Sequence, residues 1–347
     1  MYTQAATWAD KGDGEPLLVL AGTRGIVKVI NTITLAVDAA LIGHGNEILD
    51  VTTHSVDTNL IISASKDESV RLWNIKTQIC IAIFAGEKGH RNHVLSVCVH
   101  PCGNVVASSG MDYSIKLWNL VSPDVQNAIN KSYSHDDRAG NIGFVSVPVQ
   151  FPLFSTDKVH TNYVDCIKWV GDLLLSKSLC NRAVLWTPDP LRGSVCIVGE
   201  YELTHCRNWF MKMSCCDLLY VFAAGNTMGE VLLFHLTPPS EDEDAKAATH
   251  FLSEIEKANR DHDHERFETG VIIKPHGTIC HDSGSSSIIR DSDFSMDGDH
   301  FIYCADSSHD GQGQCQPRSK ICVWSVDHLE THHVAATTAT TTMTAGE

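Results

Sequence analysis

The chain has 347 residues, of which 43% are hydrophobic, and a formal net charge of −16 from 42 acidic and 26 basic side chains. This length suits two average domains or one large domain, and the acidic balance argues against the nucleic-acid backbone as the main ligand. It favours basic or cationic partners. No apolar run reaches the roughly 18 residues of a membrane helix, and the first residues lack the pattern of a signal peptide. We therefore expect an intracellular protein without membrane contact, whose 13 cysteines are small hydrophobes rather than disulfide partners.

Short alternating strand patterns recur along the chain. The first unit, 16–31, has two strands around a Gly turn. The next two units end in "SKDESVRLWN" (65–74) and "GMDYSIKLWN" (110–119), and their tryptophans, Trp73 and Trp118, are 45 residues apart. Each of these units begins with a Gly-His pair. A repeat of this length predicts four-stranded antiparallel blades.

Three weaker units follow. The unit at 162–186 ends in Trp186, the unit at 208–236 has Phe234 in place of tryptophan, and the last unit ends at Trp324. The sequence therefore predicts an all-β chain with six recognisable blades, and the Gly-His and Trp signatures resemble those of WD-repeat β-propellers.

The Gly-His pairs and the turns of the two strong units carry candidate structural residues. In such units an aspartate, Asp67 or Asp112, lies in the tight turn before the third strand. There it can accept a hydrogen bond from the histidine of the Gly-His pair, His44 or His90. Because buried polar groups need partners, we expect these four residues to stabilise the fold rather than to catalyse a reaction.

Three insertions interrupt the units. Residues 121–160 contain enough apolar residues to pack along a propeller face. Residues 237–287 are charged and poor in β-formers, which predicts a solvated loop with at most a short helix near 247–259. The sequence also predicts a flexible insertion over 307–320. We expect one propeller domain over 1–326 and a disordered, low-complexity tail over 327–347.

Two large aromatic residues, Trp209 and Phe210, are neighbours in "HCRNWFMKMSCC" (205–216). In an extended strand their side chains would point to opposite faces, so one buried face cannot hold both. One ring then needs another destination, such as a ligand. The alternative is that both are core, as most propeller tryptophans and phenylalanines are.

Several segments are more specific than a generic propeller. "GHGNEI", "AIFAGEKGHRNHVLSV", "HTNYVDCIKWVGDLLLSKS" and "NWFMKMSC", together with the two repeat endings, resemble the extra sex combs / embryonic ectoderm development family. The plant-type fertilization-independent endosperm branch is especially similar. The resemblance extends from about Tyr2 to Trp324. It implies a nuclear, non-catalytic scaffold subunit of Polycomb repressive complex 2, a histone methyltransferase assembly that represses genes.

The same resemblance implies partners and site residues. One face of the propeller would hold a helix of the SET-domain catalytic subunit beside other Polycomb subunits, and the other face would bind trimethyl-lysine of a histone tail. The aromatic cage falls on Tyr2, Trp209 and Phe210, and Arg290 matches an arginine that contacts the peptide. Aromatic faces suit a trimethylammonium group because it is a cation without a hydrogen-bond donor. No cofactor is implied.

The chain departs from the family pattern at two places. The family has a further blade before Tyr2, which makes seven blades and supplies one more cage residue, a phenylalanine. We therefore count six blades of an expected seven, with the first absent. Arg207 stands where the family has an acidic residue.

Two other functions are weighed against this one. A generic WD-repeat adaptor, such as a ubiquitin-ligase substrate receptor, would use the blades without binding methyl-lysine. A metalloenzyme is suggested by His262 and His264 in "DHDHERFE" (261–268). However, the sequence has no CxxC pair, HExxH motif or glycine-rich phosphate loop, so we expect neither a metal site nor a catalytic site. The acidic balance also disfavours direct DNA binding.

Overall fold

The computed structural model describes residues 3–10, 14–135, 143–189, 192–216, 218–236, 272–280, 287–295, 297–307 and 319–325. They form two compact units: Met1–Asp172 with Pro188–Val195, and Leu173–Thr187 with Cys196–Glu347. The helix expected near 247–259 and the tail expected over 327–347 lie outside the described residues. The single domain over 1–326 stays a prediction.

The first sheet of unit 1 is antiparallel in the order of the chain. Its strands are β1 (Thr3–Asp10), β2 (Pro16–Gly22), β3 (Ile26–Asn31) and β4 (Val37–Ile42). Successive residues alternate between a buried face and a half-exposed face, as the pleat requires. The buried face includes Val19, Val29 and Leu41, and all three are inaccessible to solvent.

The second and third sheets follow the same antiparallel plan. The second contains β5 (Ile48–Thr53), β6 (Leu60–Ser65), β7 (Val70–Asn74) and β8 (Ile79–Phe84), and the third begins with β9 (Val94–Val99), β10 (Val105–Gly110) and β11 (Ile115–Asn119). All six residues of β6 are buried. Its two serines can be buried because both are hydrogen-bonded: Ser63 to His44 and Trp73, and Ser65 to the Glu47 carbonyl oxygen.

The insertion over 121–160 contains one helix and two strands. These are α1 (Pro123–Ser134), β12 (Val147–Val149) and β13 (Phe154–Thr156). Proline in the first turn and Asp124 beside it suit a helix start. Buried residues of α1, including Val125 and Ile129, pack against the hydrophobic core of the second and third sheets. The apolar content of this insertion therefore does serve packing, although the strand-based repeat gave no indication of a helix.

The two strands of this insertion extend neighbouring sheets. β12 pairs in parallel with β8 and becomes the fifth strand of the second sheet, whereas β13 pairs with β11 and completes the third sheet. The Tyr133 hydroxyl in α1 donates a hydrogen bond of 2.6 Å to Asp57 Oδ2, in the turn between β5 and β6. The next strand of unit 1 is β14 (Val164–Val170).

The remaining strands lie wholly or mostly in unit 2. They are β15 (Leu173–Ser178), β16 (Arg182–Asp189), β17 (Ser194–Glu202), β18 (Met213–Cys216), β19 (Val221–Gly225), β20 (Glu230–His235), β21 (Ile272–Ile273), β22 (Gly277–Cys280), β23 (Ser287–Phe294), β24 (His300–Ser307) and β25 (Ser319–Ser325). Three of these strands, β17, β19 and β20, contribute to one aromatic cluster: the Phe222 and Phe234 rings stack 4.6 Å apart, and the Tyr201 ring lies edge-on to both.

Two of these strands lie in the range where the sequence predicts a solvated loop. β21 pairs in parallel with β17, and β22 pairs with β20. The loop interpretation of 237–287 is therefore wrong at 272–273 and 277–280. Both strands are very short, and "GTIC" has no alternation long enough to be recognised against the charged residues before it.

The described strands form six sheets, one for each of the six units in the sequence. The prediction of an all-β chain with six blades is confirmed. Five sheets have four or five strands, and the last, β23–β24–β25, has three.

Candidate ligand-binding site

The connection between β17 and β18, residues 203–212, carries the aromatic pair, and we call it the aromatic loop. Trp209 and Phe210 lie in a bend of this loop, not in a strand. Phe210 has a φ of +66°, a left-handed conformation that is rare for a bulky residue. The two rings consequently stack, with centroids 3.9 Å apart and planes 30° apart. The expectation that the two side chains point to opposite faces is wrong, because the backbone here is not extended.

The stacked pair has limited room for a cation. Both residues are partly exposed, but the distance between the rings leaves no space for a trimethylammonium group between them. Only the outer face of either ring could receive one. Tyr2, the third residue that the family resemblance assigns to the cage, lies outside the described residues.

Asn181 holds one side of the aromatic loop. It occupies the turn between β15 and β16 with a φ of +58°, which asparagine tolerates better than most residues. Its carbonyl oxygen accepts a hydrogen bond of 2.9 Å from the Leu203 N–H, and its Oδ1 accepts one of 2.8 Å from the Cys206 N–H. A single turn residue therefore fixes two positions of the loop.

Thr227 holds the other side, from the turn between β19 and β20. Its N–H and its hydroxyl both donate to the His205 carbonyl oxygen, at 3.1 and 3.0 Å. The Cys206 thiol donates to the Gly225 carbonyl oxygen at 3.3 Å. The beginning of the loop is thus anchored on both sides before the chain reaches the two rings.

The backbone of Arg290 is hydrogen-bonded to the end of the same loop. Its carbonyl oxygen accepts a hydrogen bond of 2.9 Å from the Lys212 N–H, two residues after Phe210. Its side chain is exposed, and the register of β23 on β24 shifts between Ile289 and Asp291. Such a bulge redirects the residue that it contains. The fold therefore brings together three of the four residues assigned to ligand binding: Trp209, Phe210 and Arg290.

Sequence reasoning missed Asn181 and Thr227. In the two strong units, Asp67 and Asp112 each follow the serine of their second strand by four positions, and the corresponding position after Ser176 is Cys180. A cysteine at the aspartate position, followed directly by an asparagine, was the feature of the sequence that could have shown that this turn differs from the others.

The Gly-His and Asp residues of unit 1 form two hydrogen-bonded networks. His44 Nδ1 lies 2.8 Å from Asp67 Oδ2, and His44 Nε2 lies 2.7 Å from the Ser63 hydroxyl, to which the Trp73 indole N–H also donates at 2.8 Å. Burial lowers the pKa of His44 and outweighs the opposite effect of Asp67. The histidine is therefore neutral near pH 7.

The second network repeats the first. His90 Nδ1 lies 3.0 Å from Asp112 Oδ1, His90 Nε2 lies 2.8 Å from the Ser108 hydroxyl, and the Trp118 indole N–H donates to the same hydroxyl at 2.9 Å. Burial alone would raise the pKa of Asp112, but the hydrogen bonds from His90, the Arg91 N–H and Ser114 hold it well below its usual value. We propose that both networks stabilise the fold.

A search of the described residues finds no group of three or more His, Cys, Asp or Glu side chains placed to hold a metal ion. His262 and His264 lie outside the described residues. None of the described helices is long and apolar enough to span a membrane.

Comparisons with known proteins identify the repeats and the family. Residues 37–74 and 79–119 match the WD domain, G-beta repeat family. The chain is 34% identical over 317 residues to Polycomb protein esc of Drosophila melanogaster, an alignment that covers 88% of this chain and 67% of that protein. The chain belongs to the extra sex combs family of Polycomb-group proteins.

Within the extra sex combs family, plant members are also similar. Polycomb group protein FIE2 of Zea mays is 45% identical over 242 residues, which cover 67% of this chain and 62% of the maize protein. The chain thus spans less than two thirds of the length of this relative.

Solved structures share the fold of this extra sex combs family member. A chain of the Chaetomium thermophilum polycomb repressive complex 2 superposes with a TM-score of 0.68 at 20% identity, covering 87% of this chain and 79% of the other. A chain of the same complex with H3K27me3 and H3K27M gives the same TM-score and identity. At this identity the comparison supports the WD-repeat β-propeller fold and nothing finer.

Proposed function

We propose that this chain is a non-catalytic scaffold subunit of a Polycomb-type histone methyltransferase complex in the nucleus, and that its aromatic loop binds trimethyl-lysine in a histone tail. Its relatives are Polycomb-group proteins, and chains of the same fold occur in polycomb repressive complex 2. The observation that carries the binding proposal is the partly exposed Trp209–Phe210 stack on an anchored loop.

The chemistry of the ligand fits this pair. A trimethyl-lysine head keeps its charge at every pH, cannot donate a hydrogen bond, and is attracted to an aromatic face by roughly 0.5–2 kcal/mol. A loop that is already ordered costs less conformational entropy when it binds. We propose that the outer face of the Trp209–Phe210 stack receives the methylammonium group and that Arg290 contacts the peptide. The assignment of Tyr2 to the cage stays a prediction of the family resemblance.

Peptide binding tests the reader half of the proposal. Trimethylated and unmethylated H3 tail peptides should be titrated against the full chain by fluorescence anisotropy. We expect binding that depends on methylation and that weakens about ten-fold in Trp209→Ala, because the preferred cation–π partner is removed. Trp8→Ala is the matched control, since Trp8 is a 63% exposed tryptophan in unit 1, which does not contain the aromatic loop.

Co-purification tests the scaffold half separately. The full chain should be coexpressed with a SET-domain histone methyltransferase and the other Polycomb subunits, and a stable complex with restored methyltransferase activity is the expected result. A complex that forms with wild-type and Trp209→Ala chains, but with no dependence of peptide binding on methylation, would favour an adaptor without a reader function. Failure to form any complex would contradict the scaffold proposal.

A further inference from the structure

A cavity of about 680 Å³ lies beside the aromatic loop in unit 2. The β15–β16 turn, the end of β17 and the first half of the aromatic loop line it. Its charged side chains are two arginines, Arg182 and Arg207, and two glutamates, Glu200 and Glu202. Asn181 and Asn208 add polar side chains to the same wall. None of these residues has a role in the function proposed above except Asn181, which anchors the loop.

Arg182 lies at the start of β16, and only part of its guanidinium group is hydrogen-bonded. One terminal nitrogen forms an ion pair with Glu200, across the neighbouring strand β17. Its Nε is buried and has no hydrogen-bond partner among the described protein atoms. Buried donors are nearly always satisfied in native proteins, so the described residues leave the Arg182 guanidinium group short of acceptors.

Arg207 is the second cation of the cavity and lies two residues before Trp209. Its side chain is exposed, and the described part of the chain offers it neither an ion pair nor a hydrogen bond. Two carboxylates line the cavity. Glu200 forms the ion pair with Arg182, and Glu202 is the other. The Oδ1 atom of Asn181 is taken by the Cys206 N–H, which leaves the Asn181 amide group as a further donor.

We propose that this cavity binds an anionic group, a carboxylate or a phosphate, carried by the same peptide that the aromatic pair receives. The proposal rests on the function proposed above for the aromatic loop. A guanidinium group offers a planar set of donors that matches both anions. Because Arg207 and Trp209 are two positions apart on one anchored loop, a peptide can place a methylated cation on the ring and an anion in the cavity.

A direct test does not require methyl-lysine. The arginine Nε–H signals of the full chain, labelled with ¹⁵N-arginine, should be followed by NMR while inorganic phosphate or acetate is added, with Arg182→Lys and Arg207→Lys assigning two signals. We expect these two signals to shift to saturation and the others to stay in place. Arg207→Ala should weaken phosphate binding about five-fold or more, whereas Arg24→Ala, which removes an exposed arginine in the β2–β3 turn, should not.

Peptides then locate the anion. A trimethyl-lysine peptide should be compared with variants that carry glutamate or phosphoserine at each flanking position, with glutamine and serine as neutral controls. At one position we expect an anion to raise affinity about ten-fold, as charge-assisted hydrogen bonds do. Arg207→Ala should remove this gain. Equal gains from glutamate and phosphoserine would indicate a site for both anions, and a gain from phosphoserine alone would indicate a phosphate site.

The outcomes separate this inference from the function on which it rests. If Trp209→Ala abolishes peptide binding but no anionic position raises affinity and the arginine signals shift linearly with all others, the cavity proposal is wrong and the reader function stands. If Trp209→Ala leaves peptide binding unchanged while phosphate saturates the Arg182 and Arg207 signals, the anion site stands and the reader function is wrong.

Discussion

The two units use the same turn of a blade for different purposes. In unit 1 the turn between the second and third strands carries Asp67, whose carboxylate binds His44 in the loop before its own sheet. In unit 2 the corresponding turn has Cys180 instead, and the next residue, Asn181, binds the loop that follows its sheet. The tryptophan-to-serine bond is kept in both, from Trp73 to Ser63 and from Trp186 to Ser176. Where the turn has no aspartate, Asn181 bonds the aromatic loop instead.

The largest loss of stability should come from breaking a His–Asp network of unit 1. His90→Ala removes the partner of both Asp112 and Ser108 in a site where the histidine is only 3% exposed. We expect the free energy of unfolding to fall by about 3 kcal/mol, because buried polar partners lose their hydrogen bonds. Urea unfolding measures this change. A change below about 1 kcal/mol would contradict a stabilising role for the network.

Asn181→Ala should instead affect binding more than stability. The change removes the acceptor that holds the Cys206 N–H, so we expect the affinity for a trimethyl-lysine peptide to fall about five-fold as the aromatic loop loosens. Asn181→Asp keeps an oxygen acceptor at the same position and is the control, measured with a peptide that carries no acidic residue, because the new charge would repel an anion in the neighbouring cavity. Equal affinity losses in both variants would show that the anchor does not act through this hydrogen bond.

Tyr133→Phe probes how α1 is held in unit 1. Deleting the hydroxyl removes the 2.6 Å bond to Asp57, and we expect a loss of about 1 kcal/mol because the pair is exposed to solvent. Partial burial and the neighbouring Asp57 carboxylate both raise the pKa of Tyr133, so the phenol keeps its proton throughout the neutral range. Urea unfolding at pH 7 measures the difference, and an unchanged midpoint would argue that α1 is held by its apolar face alone.

The smallest expected effect concerns pH in unit 2. The His235 and His276 rings stack 3.8 Å apart, and the partial burial of His276 together with His235 lowers the pKa of His276 to about 4, from 6.5. The unfolded chain therefore takes up a proton at this position before the folded chain does. Stability should fall as the pH decreases from about 6.5 towards 4.

His276→Gln isolates this contribution from those of His44 and His90, whose pKa values are also lowered. The variant should lose less stability than the wild type between pH 6.5 and pH 4, as measured by thermal unfolding. Identical pH profiles for the two proteins would mean that the stacked pair does not oppose protonation.

The repeats made the architecture predictable, whereas local backbone geometry did not follow from them. Trp73 and Trp118, each preceded by a Gly-His pair, were sufficient to predict blades, because a repeated pattern reports a repeated environment. The stacking of Trp209 on Phe210 depends on one left-handed φ angle, and nothing in "NWFM" distinguishes that angle from an extended one. Similarly, α1 begins with recognisable Ser122-Pro123-Asp124, but a repeat made of strands gave no reason to look for a helix start there.

The short strand β12 has a consequence for how the protein behaves in concentrated solution. By lying along β8 it occupies backbone N–H and C=O groups that would otherwise be open to a strand from another molecule. Pro148, in its middle, cannot donate to a further strand and so ends the sheet. Removal of Val147–Val149 should therefore reduce solubility more than it reduces the free energy of unfolding, because neighbouring molecules could then pair through the uncovered edge.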